Sequence, residues 1–189
     1  MSSTRDHIIE VASRLFEAQG YHGTGINQIV AESGAPKGSL YYYFPGGKEE
    51  IAAEAIHRAG RFVVEHIEQD LVVQGDPVKS FRRFIRIVAR QVEAVYYRAG
   101  GPLTTVALES ATSERLNQAC REVYQQILDA FQSKLVEGGY SQKRAARLAV
   151  LIASALEGGV VLSRTQRSTK PLRQIADEVA EALEAARQT

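Results

Sequence analysis

Lys37, Ser39, Tyr41, Tyr42 and Tyr43 fall within seven consecutive residues, inside the stretch PKGSLYYYF at 36–44. An ammonium group and hydroxyls at this density suit phosphate oxygens, and flat aromatic faces suit thymine methyl groups. If the stretch is one short helix, each residue advances about 100°, so the three tyrosines and Phe44 point in four directions. They cannot all enter a core. Gly38 lets the backbone approach a duplex where a side chain would obstruct it. Upstream, Thr24, Asn27 and Gln28 add a hydroxyl and two amides suited to phosphates or a base edge.

No other chemistry competes. His7, His22, His57 and His66 lack metal-ligand spacing, no Ser-His-Asp order is evident, and Gly20, Gly23 and Gly25 do not follow a strand as a dinucleotide loop should. The single Cys120 excludes an intramolecular disulfide and any cysteine-rich metal site. Neither an enzyme nor a cofactor is expected. The net charge of +1, with four Lys/Arg against four Asp/Glu in residues 1–48, rules out a general polyanion binder. If the chain binds DNA, local geometry must do more than bulk charge. Its 189 residues, 44% hydrophobic and 24% charged, suit a globular protein. No membrane-length apolar run is read and the N-terminus lacks a signal-peptide layout, so a cytoplasmic location without a membrane partner is expected.

The elements that must position these residues read as all-α, because apolar residues recur at three- and four-residue spacing and no alternating run stands out. A first helix starts near Ser3 or Thr4, with Ser3 and Asp6 at capping-box spacing, and stops near Gly20. A short second helix runs from the Gly23–Gly25 signals to Gly34. Pro36 opens a third, barely two turns long, that ends at Phe44 before Pro45. A fourth, with Ile51, Ala55, Ile56, Ala59, Val63, Ile67 and Leu71 on one face, bridges to a second unit. Later helices are expected at roughly 78–98, 103–110, 114–137, 142–164 and 171–187. Two short helices joined by a glycine-containing turn behind an amphipathic one match a helix-turn-helix unit. Its inward set would be Leu15, Phe16, Ile26, Ile29, Val30, Leu40 and Phe44. The competing reading is a tyrosine-rich helix packed into the rest of a helical domain, which leaves each buried hydroxyl in need of a partner.

The stretch TGINQIVAESGAPKGSLYYYFPGGKEEIAAEAI strongly resembles the N-terminal DNA-binding region of TetR-family transcriptional regulators, and the close match spans about residues 5–56. The resemblance implies DNA contacts by Lys37, Gly38, Tyr41, Tyr42 and Tyr43, with Lys48 near phosphate at the start of the fourth helix. The family usually has Ala where this chain has Val30, and one residue fewer between Phe44 and Lys48. The FPGGKEE variant, with GGPLTTVALES at 100–110 and ALEGGVVLSRTQRS at 155–168, is similar to the LmrA/YxaF-like branch.

The family couples such a module to a helical domain that dimerises and receives a small ligand. Residues 145–162 are apolar around nearly their whole circumference, as in a helix buried on several sides. With the stripe on the last helix, they are expected to form a four-helix interface between two copies, through Ala149, Ile152, Ala153, Leu156, Val160, Ile175, Val179 and Leu183. The alternative is that both stripes belong to an intrachain core. Candidate ligand-pocket residues are Phe62, Phe81, Phe84, Val88, Val92, Leu108, Tyr124, Ile127 and Phe131, a set that also reads as plain core. Cys120 reads as a small core residue. Arg82, Arg86 and Arg90 share a face that is either solvated or attracts an anion.

The expected organisation is a DNA-binding domain at 1–47, a bridging helix at 48–74 and a ligand-binding and dimerisation domain at 75–189. The expected function is a homodimeric, ligand-responsive transcriptional repressor that binds a palindromic double-stranded DNA operator and is released by a small hydrophobic effector. An activator, or a helical protein-binding adaptor, is the alternative.

Overall fold

Ser3 begins the first helix as its spacing to Asp6 predicts. In the computed structural model, which describes residues 3–73, 75–96 and 101–187, the Ser3 hydroxyl accepts the Asp6 N–H at 3.1 Å and donates to the Asp6 carboxylate at 2.7 Å. That donation holds the Asp6 carboxyl below its ordinary range. Helix α1 (Thr4–Gly23) departs from helical geometry at Gly20, with φ 80° and ψ 170°, and makes one more turn beyond it. Helix α2 (Ile26–Ser33) closes on Gly34, which is left-handed at φ 63°. Helix α3 (Lys37–Tyr43) follows Pro36 and ends at Phe44, which leaves the helical region ahead of Pro45.

The remaining helices are α4 (Gly47–Asp70), α5 (Pro77–Ala94), α6 (Gly101–Glu109), α7 (Glu114–Glu137), α8 (Gln142–Gln166) and α9 (Lys170–Arg187), with one 3-10 turn at Ser110–Thr112. The fold is all-α, with nine α-helices and no strand among the described residues. Gln74, the end of the expected 78–98 helix at residues 97 and 98, and Gly100 lie outside the described residues.

Two compact units divide the chain, one of Met1–Arg61 with Gly100–Tyr124, the other of Phe62–Ala99 with Gln125–Thr189. These boundaries fall inside α4 and α7 rather than at the expected residues 47 and 74. The reason is packing within the first unit, where α6 lies on α1 and the chain at Gly60 meets Val123 so closely that a Cβ would collide with it. The core of this unit includes Ile8, Phe16, Ile29, Leu40, Phe44, Ile51, Ile56, Val106 and Leu116, all fully buried. Cys120 is also buried there, and burial raises its thiol pKa against an opposing Ser110 hydroxyl.

The second unit packs α5 and α8 against α9 around Phe81, Ile85, Ile152, Leu172, Ala176 and Leu183. The buried Tyr140 hydroxyl donates to the Leu183 carbonyl at 2.9 Å. Gly159 makes close approach possible, since a Cβ there would meet Ile175 and Leu172 side chains. One sequence expectation is corrected here: α8 is long and apolar enough, by length and composition, to cross a membrane. Its small residues disguise this in a residue-by-residue reading; one side packs on α9 while another remains open.

Candidate nucleic-acid interface

Two side chains anchor α3. Leu40 and the following Phe44 are fully buried, and the Arg5 guanidinium lies 5.2 Å from the Phe44 ring centroid. With these turned inward, the rest of a seven-residue helix faces out. Tyr42 is 80% exposed, Tyr41 43% and Tyr43 36%. Lys37 and Gly38 are exposed and Ser39 half-buried. The Tyr42 and Tyr43 rings meet edge-on, centroids 5.2 Å apart. A Cβ at Gly38 would meet nothing within 4 Å, so the chain's own packing does not require glycine there. Its missing side chain leaves the α3 backbone open to whatever approaches from outside.

On α2, Asn27 is exposed. Gln28 is held in a chain of amides, accepting from Gln19 Nε2 at 2.7 Å and donating to Glu32 at 3.0 Å. Gln19 is the contributor that sequence reasoning missed, and its only signal was an amide placed one helix earlier.

Two expected contacts are corrected. Thr24 is buried, its hydroxyl donating to the Gly20 carbonyl at 2.7 Å, so it closes the break in α1 rather than facing DNA. Lys48 turns inward: its Nζ donates to the Tyr21 and Thr24 carbonyls at 3.1 Å each and lies 4.1 Å from the Tyr21 ring centroid. A cation in the first turn of α4 opposes the helix dipole, and these acceptors compensate it. Tyr21 in turn has its pKa raised by burial and by the charge of Glu49. The extra residue before Lys48 is absorbed in a turn, with the Gly47 N–H donating to Phe44 O at 2.9 Å and the Gly46 N–H to Glu50 Oε2 at 2.7 Å. Gly47 takes φ 63°, which favours glycine.

This helix-turn-helix coincides with a family match. The family model described as "Bacterial regulatory proteins, tetR family" matches residues 8–55, and "Transcriptional regulator LmrA/YxaF-like, C-terminal domain" matches residues 77–178. The uncharacterized HTH-type transcriptional regulator YxaF of Bacillus subtilis (strain 168) is 44% identical over 177 residues, 93% of each chain. The chain belongs to the TetR family of transcriptional regulators. The HTH-type transcriptional regulator LmrA of the same organism is 38% identical over 174 residues, 92% of this chain and 93% of that one. The TetR regulatory protein of Rhodobacter sphaeroides shares the fold at a TM-score of 0.83 and 18% identity, over 95% of this chain and 98% of the other. As a TetR-family member with these relatives, the protein is a DNA-binding regulator and not an enzyme.

The TetR-family chain arranges its C-terminal candidates differently from the sequence expectation. Phe62 and Leu108 are 59% and 82% exposed in the chain, so neither faces inward. Each lies on the outer side of its helix, and Phe62 stacks on His66 at 4.0 Å between ring centroids. Phe84 meets Phe131 edge-on at 5.9 Å, and Phe81 lies 6.4 Å from the same ring. With Val92 and Ile127 they are buried, whereas Val88 and Tyr124 are partly exposed. Neither of two surface clefts is lined by this set. The first, about 480 Å³ between α4 and α7, carries Glu50, Glu54, His57, Glu114, Arg115 and Glu122. The second, about 380 Å³, carries Arg86, Arg90, Arg173 and Asp177. Arg82 and Arg86 pair with Asp177 at 3.3 and 3.0 Å at half-exposed positions, where such pairs contribute little.

Of the expected interface residues, Ala149, Ile152, Val179 and Leu183 are buried within the chain, and Ala153, Leu156, Val160 and Ile175 are intermediate. The apolar side chains left open on α8 are instead Val150, Leu151, Val161 and Leu162, between 47% and 52% exposed, with Ser154 and Gly158 exposed among them. The spacing 150, 151, 154, 158, 161, 162 is one helical stripe.

Proposed function

We propose that this TetR-family protein is a ligand-responsive repressor that binds a palindromic operator as a homodimer. The observation that carries the reading is α3: two buried anchors present Lys37, Gly38, Ser39 and three exposed tyrosines on one short helix. Lys37 and the hydroxyls engage phosphate oxygens, and the rings lie against base edges and thymine methyl groups. Asn27 reaches phosphate from α2. Occupancy of the operator blocks transcription; the same contacts in an activator would recruit it.

A second copy completes the operator reader, because a palindrome presents half-sites about one helical turn apart, ~34 Å. The open stripe on α8 supports this dimer, since four large aliphatic side chains stay in water in the single chain and a two-fold axis covers them with their own copies. In this reading residues 1–47 bind DNA, 48–74 bridge, and 75–189 dimerise and take the effector. A small hydrophobic effector opens the aromatic cluster of Phe81, Phe84 and Phe131, and a changed pose of α4 mismatches the two recognition helices with the operator. It shifts that equilibrium only by its differential affinity for the two states. Such a regulator acts in the cytoplasm.

The test is fluorescence anisotropy on labelled DNA from immediately upstream of the protein's own gene, against scrambled DNA, across a salt series. Tight binding to that fragment alone, with log affinity falling linearly in log salt, is expected. Affinity for neither DNA at any salt, repeated with a random-sequence selection, would favour the adaptor reading, in which the tyrosines meet a protein.

A further inference from the structure

The turn that joins α1 to α2 is held by a residue from far along the chain. Glu109, the last residue of α6, accepts the backbone N–H of His22 on Oε2 at 2.7 Å. Its other carboxylate oxygen lies over Gly20, where a Cβ would run into it. Gly20 is the one residue inside α1 with non-helical backbone angles. A break of this kind deprives the next turn's N–H groups of acceptors four residues back, and each then needs another partner. The carboxylate supplies one, through a charge-assisted bond stronger than a neutral one.

Residues 20–24, which make up this turn, are tied elsewhere too. Lys48 of α4 donates to Tyr21 O and Thr24 O, and the Thr24 hydroxyl donates to Gly20 O. Residues 20–24 are therefore gripped by an anion from α6 and a cation from α4 immediately before α2 begins at Ile26. What the grip fixes is the direction in which the chain enters α2, and α3 follows α2 after only Gly34, Ala35 and Pro36.

We infer that Glu109 is a positioning residue for DNA recognition: by bonding the His22 N–H and filling the space over Gly20, it sets the α1–α2 turn and, through it, the pose of α3. The inference rests on the DNA-binding reading of α3. Glu109 touches no DNA itself. A retreat of the α6 end by about 1 Å stretches the His22 bond beyond hydrogen-bond reach, so the position of α6 bears on DNA affinity.

The experiment compares Glu109→Gln, Glu109→Ala and Glu109→Asp with the wild-type chain. Gln keeps an acceptor oxygen at the same reach, whereas Ala removes it and Asp withdraws it by one methylene while keeping the charge. Operator affinity is expected to fall about threefold for Gln, whose neutral bond is weaker, and about tenfold for Ala and Asp, roughly the worth of one charge-assisted hydrogen bond. Hydrogen exchange at the His22 amide accelerates in Ala and Asp alone. The salt slope is unchanged throughout because no phosphate contact is lost. If Ala does not fold, by circular dichroism, Asp carries the test. Wild-type affinity in a folded Ala or Asp variant with an unprotected His22 amide overturns the inference. So does a Gln variant as weak as Ala, which would mean that charge and not the bond matters. A wild-type chain without operator affinity would instead sink the DNA-binding reading, and this inference with it.

Discussion

Helices α3 and α8 both turn apolar or aromatic side chains to solvent, but they do so with contrasting chemistry. On α3 every exposed aromatic ends in a hydroxyl, with a lysine and a serine beside it, so the face is wettable and can hydrogen-bond a charged partner. On α8 the exposed Val150, Leu151, Val161 and Leu162 side chains carry no polar atom; Ser154 and the half-buried Glu157 lie among them, and Arg147 and Thr165 flank them. Such a stripe gains chiefly by being covered with a like surface. The difference teaches that exposure alone does not identify a partner. The polar groups that share the face narrow the choice, and under the proposed reading they set the α3 face, meant for nucleic acid, apart from the α8 face, meant for a second copy.

The comparison breaks most visibly at α8. Leu151→Glu places a charge within the proposed interface, and sedimentation should find a monomer. Because linking two half-site readers raises affinity by roughly 10²–10⁴, operator binding should drop by at least ~100-fold while helicity is retained. A variant that remains dimeric would return the interface to another face. Next in size is Tyr42→Ala, which removes the most exposed ring of α3. A base contact of this kind is worth about 1–3 kcal/mol, so affinity should fall about 10- to 100-fold with relaxed preference at one base position. An unaltered operator preference removes Tyr42 from the base readers. Smaller again is Lys37→Ala, expected to weaken binding to all sequences alike and to lower the salt slope by about 1. Its dimer and helicity should be unchanged.

The two faces were not equally legible in the sequence. On α3 the periodicity and the residue chemistry agree: Leu40 and Phe44 must go in, which leaves the hydroxyls out, and the structure places them so. On α8 nearly every position is apolar or small, so hydropathy fixes no direction, and a shift of one residue rotates the face by about 100°. What decides it is Gly159, whose lack of a side chain admits Leu172 and Ile175 of α9 and turns Val161 and Leu162 outward. That is a property of two helices together. Phe62 escaped the sequence reading for a related reason, since a phenylalanine at helical spacing reads the same whether it packs on another ring, as Phe84 does on Phe131, or stays open, as Phe62 does. Thr24 was misread because a threonine hydroxyl serves a backbone carbonyl as well as it serves a phosphate.

Lys48 sharpens the contrast from the inside of the DNA-binding module, with the smallest expected effect on DNA. A lysine near a recognition helix suggests a phosphate contact, yet its ammonium is already shared between two carbonyls and a ring. Lys48→Met keeps the length of the side chain and removes the charge. Losing hydrogen bonds from a charged donor should lower folding stability by about 1–2 kcal/mol, read as a reduced denaturation midpoint at an unchanged slope. The slope of log affinity against log salt should stay that of the wild type, because no released counterion is involved. A slope lower by about 1 with stability untouched would mean that the side chain swings out to phosphate when DNA is present, and Lys48 would then join Lys37 on the outer face.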